Sequence, residues 1–288
     1  MPTQFVRFAA VLFAALVTRV AASGPDGITV GDLAVQADEA TWRNAIANLN
    51  ATNSTQVTGY NISAEYSKSP EQTPLWELAI SVTADIPAKK PAGKFFTGTA
   101  INWSPPWELK RNGTVRGDKS WSLCMSVYRG AKLQSGKANV DSTCDGILPD
   151  KCVKELQQRA SANGVCSTTG SLPSSCVEDM GKGEVEGFGV GFYYGAEREG
   201  HDKGNVTAYD DAIRQIWVVV TGFAHNTTDS GRNSARQNTG PEGSLRCLRA
   251  ETFKDASRSY PNAAPGQQAS MVSLALAAFV SVSIAILT

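Results

Sequence analysis

Two tryptophan–glutamate pairs, Trp76-Glu77 and Trp107-Glu108, come nearest to a hydrolytic arrangement in this chain. Glycoside hydrolysis needs two carboxyl groups about 5–10 Å apart across a cleft. An indole beside an acid would add a stacking face for a sugar ring. Trp76 opens a strand-like run and Trp107 closes a loop, so both indoles are read first as packing residues. Asp210-Asp211 is a further acidic pair, read as a turn or a helix N-terminus. No catalytic residue is assigned.

Only two histidines occur, His201 and His225. Catalytic zinc commonly takes three protein ligands. His201-Asp202 with Asp210-Asp211 is the one cluster approaching such a set, and it reads as a polar surface loop. His225 reads as a solvated strand end. The nucleophile elbow G-x-S-x-G, the H-E-x-x-H zinc motif and the Walker loop are absent. Gly187, Gly189 and Gly191 do not continue as G-x-G-x-x-G. No cofactor and no metal are expected.

Trp103-Ser104-Pro105-Pro106-Trp107 is the segment best suited to face a ligand. Prolines interrupt strand pairing and would hold Trp103 and Trp107 outward as a platform for sugar C–H surfaces. The competing reading folds both indoles into a core.

Six cysteines, Cys124, Cys144, Cys152, Cys166, Cys176 and Cys247, have no C-x-x-C spacing for zinc. An even number in a secreted chain implies disulfides, and sequence alone does not choose the pairing. Five crowd between 124 and 176, which predicts a stapled, loop-rich region, with Cys247 tying a late strand back to it.

Seven N-x-S/T sequons are present, at Asn50, Asn53, Asn61, Asn102, Asn112, Asn205 and Asn226. Asn50 and Asn53 are close enough for one glycan to hinder another, and Pro105 follows the Asn102 sequon directly.

The two ends set the compartment. Arg7 precedes an apolar run, Phe8 to Val17, and small residues Ala21-Ala22-Ser23 follow. This is the pattern of a secretory leader over 1–22. The run is too short for a hydrocarbon core of about 30 Å at about 1.5 Å per residue. At the other end, 271–288 are apolar and uncharged, behind a polar spacer and the small cluster Asn262-Ala263-Ala264. That order predicts glycosylphosphatidylinositol (GPI) attachment at Asn262 and loss of 263–288. The expected partner is therefore the outer membrane leaflet, through the anchor, with cell-wall glycan or surface proteins beyond it.

The 27 basic and 27 acidic residues balance. Arg7 and Arg19 fall in the leader, so the remainder is weakly acidic. That gives no electrostatic footprint for nucleic acid.

Hydrophobic period places these residues on elements. Helical spacing predicts a helix over 38–49, with Trp42, Ile46 and Leu49 on one face. Polar 50–58 would end it, and alternation predicts strands over 60–66, 76–86, 95–103 and 120–128. A helix follows from Asp150 to about Asn163 and a shorter one over 172–180. Glycine-rich 181–200 reads as strand or loop. The near-continuous apolar run 215–224 predicts a strand buried on both faces, and 244–250 a last strand. The expected fold is mainly β within an α+β class, an antiparallel sandwich with a disulfide-stapled helical insertion. It would occupy 23–250, with a polar stalk over 251–262.

Several segments carry a family likeness. They are Trp121-Ser122-Leu123-Cys124, then Asp145-Gly146 with Leu148-Pro149 and Cys152 entering a helix, then Leu172-Pro173-Ser174-Ser175-Cys176. With the two terminal patterns, residues 95–250 resemble uncharacterised ascomycete secreted or GPI-anchored surface glycoproteins. The resemblance implies an extracellular location and transfers no activity and no catalytic residue. The first expectation is a surface or cell-wall glycoprotein with a structural or recognition role. The alternative is a wall-tethered carbohydrate-active enzyme using a carboxylate pair.

Overall fold

A computed structural model of the chain describes residues 28–30, 35–66, 71–111, 114–115, 117–130, 143–161, 172–180, 191–195, 199–225, 243–254 and 257. The leader, Asn112, Cys166, Asn226, Asn262 and the apolar tail lie outside the described residues.

All strand pairs among the described residues are antiparallel. A five-stranded sheet contains β3 (Ala51–Tyr60), β4 (Gln72–Pro87), β5 (Phe95–Ser104), β9 (Gly191–Gly195) and β12 (Thr252–Phe253), in the order β12-β3-β4-β5-β9. A three-stranded sheet contains β8 (Trp121–Arg129), β10 (Trp217–His225) and β11 (Ser244–Leu248), with β10 central. Two small hairpins stand apart, β1 (Ile28–Val30) with β2 (Val35–Ala37) and β6 (Lys110–Arg111) with β7 (Thr114–Val115).

Alternation with period two makes these sheets a sandwich. On β4, Trp76, Leu78 and Ile80 share a face, and Trp103 and Ile101 stand opposite Leu78 and Ile80. They meet Met125, Val127, Trp217, Val219 and Phe223 from the other sheet in one buried cluster. Phe223 is the centre of that contact. Its ring lies 4.8 Å from Trp103, 5.0 Å from Tyr60 and 5.2 Å from Trp76, edge to face in each case. Such pairs contribute about 0.5–1.5 kcal/mol each beyond the area they bury.

The outward face of the three-stranded sheet is also apolar, which is why 217–224 is buried throughout. Val218, Val220, Leu245 and Tyr128 pack under helices α2 (Asp150–Ser161) and α3 (Ser174–Met180). Disulfides fix this layer: Cys152–Cys176 joins α2 to α3, and Cys144–Cys247 joins the segment before α2 to β11. Cys124 is disulfide-bonded as well.

On the far side, α1 (Glu39–Ala47) starts at Asp38, whose carboxylate accepts the Thr41 N–H at 2.7 Å. Its Trp42 packs on Phe96 and Tyr193 of the five-stranded sheet. Helix α4 (Val206–Arg214) leads directly into β10. Its Tyr209, Ala212 and Ile213 cover Val82 and Ala51, on the same sheet face as Ile80. The mainly antiparallel β fold with few short helices and a stapled helical layer is thus the expected one.

Four local expectations differ from what the chain does. The polar stretch 50–58 is not a helix terminator but most of β3, because its outward residues face solvent while Ala51 and Val57 face the core. Residues 61–66 are a loop rather than a strand. Residues 206–214 form α4, capped by Asn205, so Asp210-Asp211 lie inside a helix rather than at a turn or a helix N-terminus. The segment read as a stalk begins within the fold, since Thr252 and Phe253 pair with β3. No helix among the described residues is long and apolar enough to cross a membrane.

Candidate functional site

β5 leaves the sheet at Ser104, and the proline pair that follows cannot continue the ladder. Pro105 is buried, and a 3-10 turn runs Trp107–Leu109 with Leu109 tucked inward. The Leu109 N–H donates to Pro106 O at 3.1 Å. This turn holds the Trp107 indole in solvent at 73% exposure, while the other five tryptophans are at most 6% exposed.

The two-indole platform expected here is therefore corrected to one. Trp103 is fully buried, because its position on β5 faces Leu78 and the sheet interior, and its ring packs on Trp76 and Phe223. Only Trp107, beyond the prolines, escapes the alternation.

The outward face of the five-stranded sheet carries polar groups to this turn. Gln56, Glu77 and Ser104 lie directly opposite one another on β3, β4 and β5, so they form one row across three strands. Gln56 and Glu77 are exposed. Just past the turn, burial holds the Lys110 ammonium below its ordinary pKa, and the Glu77 charge partly offsets this. Lys110 therefore lies within electrostatic reach of Glu77. An exposed indole beside amide, carboxylate, hydroxyl and ammonium groups can stack and hydrogen-bond.

The two tryptophan–glutamate pairs are not equivalent. Trp76 is core and Trp107 is exposed, while Glu77 and Glu108 are both exposed. An indole and an acid share solvent only at Trp107-Glu108. Tyr66 and His225 add aromatic surface at the same end of the sandwich, stacked with ring centroids 4.8 Å apart. Tyr66 also packs edge-on against Trp121. Burial, with Tyr60 nearby, raises the Tyr66 phenol above its ordinary pKa. Nothing in the sequence marks this stack, since Tyr66 and His225 are far apart in the chain.

The opposite end holds the His201 group. His201 is not on a surface loop: it pairs backbone to backbone with Phe95 and is buried. Its Nδ1 lies 2.8 Å from Asp202 O and 3.8 Å from Asp85 Oδ1. Asp85 sits at positive φ (52°) where β4 is irregular, and its carboxylate accepts the Gly204 N–H at 2.9 and 3.0 Å. The Lys94 ammonium, 2.9 Å away, holds the Asp202 carboxyl below its usual range. Asp210 is buried on α4 while Asp211 is exposed. These contacts pin 201–205 to the β4–β5 end and so orient α4. Among the described residues no group of three or more His, Cys, Asp or Glu is placed to hold a metal ion.

The sequon asparagines are in contrasting environments. Asn50 accepts the Ala84 N–H at 2.8 Å and donates to Ser257 Oγ at 3.3 Å. Asn53 donates from Nδ2 to the main-chain oxygen of Arg249 at 3.0 Å. Asn102 is half-buried near the end of β5, between β4 and β9. Asn61 follows β3, and Asn205 caps α4 in an exposed loop.

No family model matches this chain, and neither a curated protein nor a solved structure does.

Proposed function

We propose that this chain is an extracellular glycoprotein held on the outer cell surface by a GPI anchor, with a structural or recognition role. The observation that carries the reading is the pair of disulfides among fully buried cysteines, Cys144–Cys247 and Cys152–Cys176. Such bonds persist in oxidising compartments and are rare where thiols are kept reduced. The leader pattern over 1–22, the Asn262-Ala263-Ala264 cluster and the apolar tail supply a route to that compartment and a means of staying there.

Recognition is centred on the Trp107 turn. An indole held out of the fold by two prolines, beside the Gln56–Glu77–Ser104 row, suits a wall glycan better than it suits bond cleavage. Trp76 is buried away from the acid that follows it, which weighs against the hydrolase alternative.

Treating intact cells with phosphatidylinositol-specific phospholipase C tests the anchor. Release of the protein into the medium is the expected result. Retention until detergent is added would overturn it. A glycan array probed with the soluble 23–262 fragment and its Trp107→Ala variant tests recognition: binding should require the indole.

A further inference from the structure

Resting on the secretory reading, we infer that the fold divides its sequons into two groups: Asn61 and Asn205 carry N-linked glycans, and Asn50 and Asn53 remain bare. A glycan replaces one hydrogen of the asparagine side-chain nitrogen with a bulky, hydrated group. The nitrogen must therefore point into an open path to solvent, whereas the carboxamide oxygen is free to serve the fold.

Asn61 and Asn205 meet that requirement in the same way. At Asn61 the carboxamide oxygen accepts from the Ser63 N–H at 3.2 Å and the Ser63 hydroxyl at 2.6 Å. At Asn205 it accepts from the Thr207 N–H at 3.0 Å, which caps α4. In both, the oxygen anchors the side chain to its own sequon. Neither Nδ2 has a hydrogen-bond partner among the described residues. Ser63 and the stretch from Asp202 to Thr207 are exposed. A sugar at Asn205 leaves the helix cap intact, because capping uses the other atom.

Asn53 is the reverse case. It stands opposite Ile80, which is fully buried, so its side chain leaves β3 on the core side. Its Nδ2 lies on the carbonyl of buried Arg249, in the seam where the chain crosses from β11 to β12. A sugar there would have to enter the space between β3 and that crossover. Asn50 has both ends of its amide bound, bridging Ala84 at the β4 irregularity to Ser257. Because glycans are attached as the chain emerges, a sugar at Asn53 would block closure of this seam, and molecules bearing one would not reach the folded state.

The test is site-by-site occupancy in the full chain expressed through a secretory pathway. Enzymatic deglycosylation in heavy-oxygen water converts each glycosylated asparagine to a mass-labelled aspartate, read by peptide mass spectrometry. Label at Asn61 and Asn205 with unlabelled Asn50 and Asn53 is expected. Ser63→Ala and Thr207→Ala, which keep both asparagines, should each remove one glycan from the intact mass, and Thr55→Ala should remove none. Label at Asn53 in most folded molecules would overturn the division. So would bare Asn61 and Asn205 in a protein glycosylated elsewhere. A protein with no glycan at any sequon would overturn the division and the secretory reading together.

Discussion

Trp103 and Trp107 are four positions apart, and the fold uses them in opposite ways. Trp103 obeys the strand alternation and joins Trp76 and Phe223 in the sandwich core. Trp107 lies past two prolines, where alternation no longer applies. Phe223→Ala should cost about 3–5 kcal/mol, because it removes the ring on which four others converge. Trp107→Ala should change stability by no more than about 0.5 kcal/mol. Denaturant unfolding of the two variants separates them. The identity of the core residues was legible from period-two spacing. The exposure of Trp107 was not, since a proline-bounded indole is equally compatible with folding back.

Tyr209 gives a pH dependence. Burial pushes its phenol from 10.0 up to about 12, with the Asp210 charge adding to the effect. The folded value is above the unfolded one, so the fold favours the neutral form. The associated stability is complete below about pH 10 and is lost as pH rises toward 12. The Tyr209 hydroxyl has no hydrogen-bond partner among the described residues, so removing it leaves nothing unpaired. Tyr209→Phe should be at least as stable as the parent at pH 7 and should lose less on raising the pH from 10 to 12. A steeper alkaline loss in the variant would contradict this.

At the scale of elements, β3 shows what a sequence conceals. Its Asn and Thr residues look like a helix-ending loop, yet threonine suits a half-exposed strand, and only the opposite face needs to be apolar. The irregularity between Val57 and Gly59 depends on a missing side chain. A Cβ on Gly59 would lie 2.0 Å from the Trp76 ring. Gly59→Ala should therefore destabilise by at least about 1–3 kcal/mol, through overpacking against a residue that cannot yield. Thermal unfolding reads this directly. Helix α4 was missed because its short apolar face, Tyr209, Ala212 and Ile213, runs straight into the stronger β10 signal. The cap that marks its start, Asn205, is also a sequon residue.

The helical layer is fastened by its disulfides more than by its length. Helices of 12 and 7 residues are marginal alone. Cys152–Cys176 closes 24 positions and Cys144–Cys247 closes 103. In the chain-entropy picture the longer closure contributes more, with typical values of about 2–4 kcal/mol. Replacing Cys144 and Cys247 together should lower the unfolding temperature more than replacing Cys152 and Cys176. The stapled region around 124–176 was legible from cysteine spacing, but the pairing needed the fold, because Cys144 and Cys247 meet only once β11 joins β10.

At the scale of the molecule, the two ends of the sandwich have different roles. One end is pinned: Asp85, His201, Lys94 and Asp202 fix the approach to α4. The other end presents Trp107 and His225 to solvent, with half-buried Tyr66 stacked on His225. Under the proposed function, such a body is matured by trimming at both ends and oxidation in between. The most direct measurement is terminal peptide mapping of the protein isolated from its own cells, with thiol titration. A mature chain starting close to residue 23, ending at or beside Asn262 and carrying no titratable thiol is the predicted result. Recovery of intact Met1 and Thr288 on a chain with free cysteines would contradict it.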